Sequence, residues 1–434
     1  MDKMADVLGR AGAWCGQNKY LSAIKNAFQN FMPLTIAGAI GVLWCNVLVN
    51  ESTGLGIFFK PIMALEFLNP AFQAVNFCTI SCITVGITLG IAQEIGIWNM
   101  GAEKAGYIPG LVGLAAWLSV TNTSHMVEGA KEAFTGIAGN ELGATGLFTG
   151  MIIGVLSVEL FCFFEKQDAL KIKMPEQVPP GVARAFEVLV PATITLIITA
   201  CIGSACYNLT GLYLNDVIKN GIQGPLGAVG ATIPGVMIIY LVIMLFWLVG
   251  IHGNNMLSAV KEALFTPLAL ENVEKFNKGE KPTNIINMYA LQMWGEFGGS
   301  GVTIGLVIAI MIFGKREDNK AIATLSLVPG LFNINETVTF GIPMVLNPIL
   351  GIPFVFACLV TILVGYVLTV IGFCPVACLT VPWTTPPIVF GFLACGANVM
   401  GAVTQAILIA ISVVIYTPFL ISYEKYQNKQ AAEA

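Results

Sequence analysis

The sequence predicts an all-α polytopic membrane protein of about ten transmembrane helices with two re-entrant hairpins in its C-terminal half. Three observations carry that expectation. Only 11% of the 434 residues are charged, against roughly 25% in soluble domains, while 56% are hydrophobic and the mean hydropathy is +0.79. Apolar runs of about twenty residues recur, long enough for a helix to cross a hydrocarbon core of roughly 30 Å. Finally, two stretches, 252–298 and 326–347, mix Gly, Pro and Asn with short apolar segments. Irregular backbone at membrane depth survives only where protein or water meets its polar groups, so two such breaks in one half point to a binding site there.

Taken in order, residues 1–30 read as an amphipathic cytoplasmic lead-in helix. They alternate charge with apolar residues at helical spacing and lack the apolar run and small-residue cleavage site of a signal peptide. Lys3, Arg10, Lys19 and Lys25 place this segment inside. Spans are expected near 31–49, 71–91, 109–120, 146–164, 186–207, 228–250, 299–313, 348–373, 386–395 and 400–420, two of them short. The N-terminal membrane domain is 31–210, including a cytoplasmic linker at 165–185, and the substrate domain is 211–434. Basic residues after the fourth span (Lys166, Lys171, Lys173, Arg184) and at Lys425 and Lys429 put linker and C-terminus on the side of the N-terminus. Lys315, Arg316 and Lys320 also read as cytoplasmic, which a strict up-and-down count contradicts, so the chain between Gly250 and Gly299 is re-entrant or the count there is off.

Composition narrows the function. The net charge of −4 is spread over short loops with no basic stripe, which argues against a nucleic-acid partner. Most of the eleven cysteines lie in apolar runs and read as small core hydrophobes. There is no GxxxxGK[ST] loop, no HExxH and no Cys-x-x-Cys framework, so no ATP-driven pump, metal or cofactor is expected.

Polar residues in apolar context are the informative ones, because a charge at mid-bilayer costs about 2.5 to 3.5 kcal/mol on insertion scales. In "LFNINETVTFG" (331–341), Glu336 with Asn333 and Asn335 offers the acceptors and amides that bind vicinal sugar hydroxyls. The competing reading makes Glu336 a hairpin cap or the partner of a lysine. His252 in "WLVGIHGNN", one of two histidines, follows a span at the mouth of the first hairpin, with Asn254 beside it. Glu296 in "MWGEFGGSG" lines the same cavity or supports its backbone. Trp247 and Trp383, the latter in "TVPWTTPP" with Thr384, present faces suited to a pyranose ring, although tryptophan also marks membrane interfaces. Glu94 and Glu159, at or inside expected spans, are expected to find interfacial or interhelical partners. His125, near Glu128 and Lys131, reads as surface.

"WLVGIHGNN" (247–255), "GGSG" followed by Val302, Thr303 and Gly305, "LFNINETVTFGIPMVLNP" (331–348) and "VPWTTPPIVFGFLACG" (381–396) resemble, in order and spacing, the membrane C component of the bacterial phosphotransferase system. The resemblance is to its lactose, cellobiose and N,N'-diacetylchitobiose branch. With "PEQVPPGVARAFEVLVP" (175–191) as that branch's linker motif, it covers nearly the whole chain. It implies group translocation across the bacterial cytoplasmic membrane: an external β-linked disaccharide is phosphorylated at a C6 hydroxyl by a phosphocysteine on a cytoplasmic B component. The resemblance assigns contact near that hydroxyl, and so the catalytic positions, to Glu336 and His252. It also implies a lipid-embedded homodimer that dimerises through its N-terminal half. Thr337 departs from the family's usual proline and bears on hairpin stiffness. Lactose-type members often carry a fused B domain, whereas this chain ends at "SYEKYQNKQAAEA", so the donor cysteine is expected on another polypeptide. The alternative is a cation-coupled sugar transporter in which Glu336 or Glu296 is protonated during the cycle.

Overall fold

Helices supply almost all regular structure in the computed structural model, which describes residues 10, 14, 17–51, 56, 59–125, 134–175, 177–225, 230–342, 344–345 and 347–433. Lys3, Cys15, Glu128 and Lys131, with most of the first sixteen residues, lie outside the described residues. Two compact units emerge: Gln17–Gly38 with Val75–Ala228, and Met1–Gly16 with Ala39–Ala74 and Val229–Ala434. The second unit therefore takes in 39–74 and begins near 229, where the sequence suggested a boundary at 210. Lys19–Leu43 is one helix, continued by the π-helical turn Trp44–Leu48. The lead-in and the first expected span thus share a helix through residue 30.

The N-terminal unit is built from Ile83–Met100, Ile108–Val120, Ala144–Glu165 and Pro180–Thr210. Ile83, Ile87, Ile91 and Ile95 recur every fourth residue, all buried, and form the stripe by which Ile83–Met100 packs on its neighbours. Trp117, Ala116 and Val120 meet Ile153 in the core between Ile108–Val120 and Ala144–Glu165. Three carboxylates here, Glu94, Glu159 and Glu165, find partners on other elements, as their apolar setting favours. Glu94 accepts from Asn26 Nδ2 at 2.8 Å, and Glu159 meets Lys19 Nζ at 2.6 Å. Glu165, 1% exposed, is held by Lys104 at 2.8 Å and Arg184 at 3.0 Å. The helix expected at 186–207 begins earlier because Pro180 occupies its first turn, where the missing N–H would have had no intrahelical acceptor. A two-stranded antiparallel ribbon pairs Ser124–His125 with Phe134–Thr135.

In the C-terminal unit, Val399–Glu433 is the central post against which Ile304–Phe313, Gly351–Val370 and Val389–Ala394 pack. Ile233–Leu248 and Met288–Gly295 pack on Gly351–Val370. The stretch 252–298, expected to hold only short segments, contains the 20-residue helix Ser258–Asn277. Its lysines and glutamates lower hydropathy without weakening helix propensity, so an apolar-run criterion passes over it. Near 386–395, where a short span was expected, only Val389–Ala394 is helical. The prolines of "VPWTTPP" withhold amide donors just before it.

Among the described residues, five helices are long and apolar enough to cross a membrane: Lys19–Leu48, Ala144–Glu165, Pro180–Thr210, Gly351–Val370 and Val399–Glu433. Two pairs are bent, Lys60–Ser81 with Ile83–Met100 by 42° and Met288–Val302 with Ile304–Phe313 by 60°, and Ile108–Val120 and Ile233–Leu248 are shorter apolar helices. The 60° bend falls between Val302 and Ile304, just after "GGSG", beyond the 252–298 stretch and inside the span expected at 299–313.

Candidate functional site

His252 and Glu336 come from different motifs and meet in the C-terminal unit. Ile233–Leu248 ends at the turn before His252, which then caps Gly253–Met256 by accepting the Asn255 N–H on Nδ1 at 3.3 Å. A cap needs an acceptor, so the neutral ring carries its proton on Nε2. That nitrogen lies 3.8 Å from Glu336 Oε1, beyond a direct hydrogen bond. Both side chains are accessible, at 37% and 47% exposure. Residue 253 must be glycine, since a Cβ there would sit 2.0 Å from the Ile243 carbonyl oxygen. Glu336 opens Glu336–Gly341, where the free amides of a first turn favour a carboxylate.

Trp247 is buried, with its ring centroid 4.4 Å from that of His252 and 6.5 Å from that of Phe340. It supports the imidazole instead of offering a free face. Trp383, at 43% exposure, does offer one. Thr384 is half-buried in the turn that Thr385 N–H closes onto the Pro382 carbonyl at 2.9 Å.

Glu296 is partnered on the protein side. Its Oε1 accepts from the Tyr240 hydroxyl at 2.7 Å and pairs with the ammonium of Lys261, itself 7% exposed. Lys261 also sits 5.4 Å from the centre of the Tyr240 ring. Sequence reading missed Lys261 and Tyr240 because it weighed acidic residues and histidines. A lysine nine positions after His252, in a chain so poor in charge, was the available signal.

The asparagines hold backbone. Asn333 Oδ1 accepts the Gly298 N–H at 2.7 Å, while its Nδ2 donates to the carbonyls of Trp383 and Thr385, the latter at 3.0 Å. Asn335 Nδ2 donates to the Ser300 carbonyl at 2.9 Å and to Thr339 Oγ1 at 3.2 Å. Asn254 Nδ2 donates to Ser300 Oγ at 3.0 Å, and its buried Oδ1 has no partner among the described residues. Thr303 Oγ1 donates to the Gly298 carbonyl at 2.6 Å and Tyr416 to the Gly301 carbonyl at 2.7 Å. Backbone bonds from Gly299 N–H to the Glu296 carbonyl and from Val302 N–H to the Gly299 carbonyl, both 3.0 Å, make only a short turn of "GGSG", and these side chains meet the Gly298 N–H and the Gly298, Ser300 and Gly301 carbonyls. Among the described residues, no group of three or more His, Cys, Asp or Glu is placed to hold a metal ion.

The family model "Phosphotransferase system, EIIC" matches residues 25–358. The chain belongs to the EIIC family of the phosphotransferase system. This EIIC chain is 33% identical over 429 residues to the oligo-β-mannoside-specific EIIC component of Bacillus subtilis (strain 168), covering 98% of this chain and 94% of that one. It is 29% identical to the cellobiose-specific EIIC component of Lactococcus lactis subsp. lactis (strain IL1403), covering 98% of each. Among solved structures it matches the transporter ChbC, the IIC component from the N,N'-diacetylchitobiose-specific phosphotransferase system, with a TM-score of 0.88 and 29% identity over 97% of each chain. EIIC proteins are membrane-embedded transporters that act with sugar substrates and cytoplasmic EIIB domains.

Proposed function

We propose that this EIIC protein binds an external β-linked disaccharide and holds its C6 hydroxyl between Glu336 and His252 while a separate cytoplasmic B component transfers a phosphoryl group to it. The observation that carries the reading is the 3.8 Å gap between His252 Nε2 and Glu336 Oε1, too long for a direct bond and suited to one shared hydroxyl. In the transfer, the C6 oxygen attacks phosphorus, the S–P bond of the phosphocysteine breaks and the thiolate leaves. The carboxylate of Glu336 takes the hydroxyl proton, and the Nε2–H of His252 donates to the sugar oxygen. Trp383 stacks on the pyranose, Trp247 and Thr384 hold the walls, and the unpartnered Asn254 Oδ1 accepts from another hydroxyl. Glu296 lines the site through its pair with Lys261. The named cellobiose, oligo-β-mannoside and diacetylchitobiose specificities of the relatives favour a β-linked substrate. The same reading makes 252–298 and 326–347 re-entrant, both termini cytoplasmic, and the protein a homodimer joined through its N-terminal unit.

The test is titration and B-dependent phosphorylation of purified protein with cellobiose and N,N'-diacetylchitobiose. Glu336→Gln keeps the protein folded and abolishes phosphorylation, because an amide neither takes the proton nor carries the charge. His252→Ala weakens binding by about 1 to 3 kcal/mol, the cost of leaving a sugar hydroxyl without its partner once the ligand has displaced water. Wild-type turnover by Glu336→Gln would remove that carboxylate from the chemistry.

A further inference from the structure

Asn333 has a geometry that a sugar ligand does not need. Its φ is +63°, in the left-handed region that asparagine tolerates better than most residues. From there its amide reaches three backbone groups on two other motifs: the Gly298 N–H, and the carbonyls of Trp383 and Thr385. Both amide hydrogens are committed, so neither is available to a hydroxyl without breaking a protein bond. The three stretches so tied each carry a proposed site group: Glu296 beside "GGSG", Glu336 in "NINE", and Trp383 in "VPWTTPP". Glu296 follows the last turn of Met288–Gly295 and Glu336 opens Glu336–Gly341; Asn335 ties "NINE" to the Ser300 carbonyl, and the Asn333 amide adds the tie from both motifs to the irregular turn at Trp383 and Thr385.

We propose that Asn333 is a positioning residue: it sets the separation of Glu336, Trp383 and the "GGSG" turn, and does not itself bind sugar. The proposal rests on the sugar-site reading for its kinetic consequence, but its structural consequence stands without it. Removal of the amide frees one donor and two acceptors at once, loosening 297–303 and 382–388 while leaving the helices around them intact. Misplacement of reacting groups by about 1 Å lowers turnover on the order of a hundredfold.

Two variants of the full-length protein separate the possibilities. Asn333→Gly keeps the left-handed backbone and loses the amide. Asn333→Asp keeps an acceptor for the Gly298 N–H and loses both donors. Hydrogen–deuterium exchange without sugar is expected to rise in 297–303 and 382–388 for the glycine variant, and only in 382–388 for the aspartate variant, with Gly351–Val370 unchanged in both. In B-dependent phosphorylation, kcat falls on the order of a hundredfold in both. Exchange like wild type together with a raised KM alone would make Asn333 a sugar ligand and overturn the proposal. A rise spread evenly over Gly351–Val370 and Val399–Glu433 would overturn it in favour of general destabilisation. Glu336→Gln measured alongside tests the sugar-site reading separately, since its kinetics can fail while the sugar-free exchange pattern still holds.

Discussion

Lys261 shows how one side chain sets the charge of the site. Its ammonium neutralises Glu296 in a nearly water-free setting, with the Tyr240 hydroxyl completing the carboxylate. Breaking a buried pair by removing one partner strands the other charge, so Lys261→Met should cost about 3 to 5 kcal/mol of stability. Adding Glu296→Gln should recover most of that loss. Thermal unfolding in detergent checks both, and a Lys261→Met protein as stable as wild type would show that the pair holds nothing. Lys261 is committed to Glu296, and among the described residues the one ion-pairing partner placed near Glu336 is His252. A 6-phosphate adds about 1.5 to 2 negative charges at neutral pH and is repelled most where water is scarce. Titration should therefore find clear binding of the free disaccharide and much weaker binding of its 6-phosphate. Equal affinities would refute the repulsion, and tighter phosphate binding would mean that Lys261 leaves Glu296 to receive it.

Elements matter here mainly where they break. The 60° bend between Met288–Val302 and Ile304–Phe313 follows a turn in which Gly298, Gly299, Gly301 and Val302 all have positive φ. Gly299 has φ +89°, and a Cβ there would lie 2.6 Å from the Asn335 side chain. Gly299→Ala combines backbone strain with overpacking, each typically about 1 to 3 kcal/mol. The expected outcome is an inserted protein whose sugar affinity is lost, measured by titration; wild-type affinity would separate the turn from the site. Thr337 falls at the second position of Glu336–Gly341, where an amide has no intrahelical acceptor. Exchanging proline for threonine there sacrifices no helical hydrogen bond, so Glu336–Gly341 keeps its start and loses only the fixed φ of proline.

For the whole molecule, group translocation and ion-coupled transport make opposite demands on the membrane. In proteoliposomes, sugar uptake should require phosphorylated B component on the inner side, deliver only sugar phosphate and persist when the proton and sodium gradients are collapsed. Uptake of free sugar that stops with the gradient would establish the alternative, with Glu336 or Glu296 as the titrating group.

The hydropathy of the chain and its scarcity of charge determine that it is a helical membrane protein, because those signals are local and additive along a helix. Motif chemistry likewise singled out His252 and Glu336, since a polar residue in apolar sequence is conspicuous wherever it folds. Glu94 and Glu159 were legible as paired for the same reason, though not their partners Asn26 and Lys19. Ser258–Asn277 was not legible, because its charges hide a helix from an apolar count. Only the tertiary structure decided that His252 faces Glu336, that Lys261 and Tyr240 hold Glu296, that Trp247 is buried while Trp383 is exposed, and that Asn333 clasps two distant turns. Each of these depends on backbone segments far apart in sequence being brought within a few ångströms by helix packing, and no local pattern of residues encodes that approach.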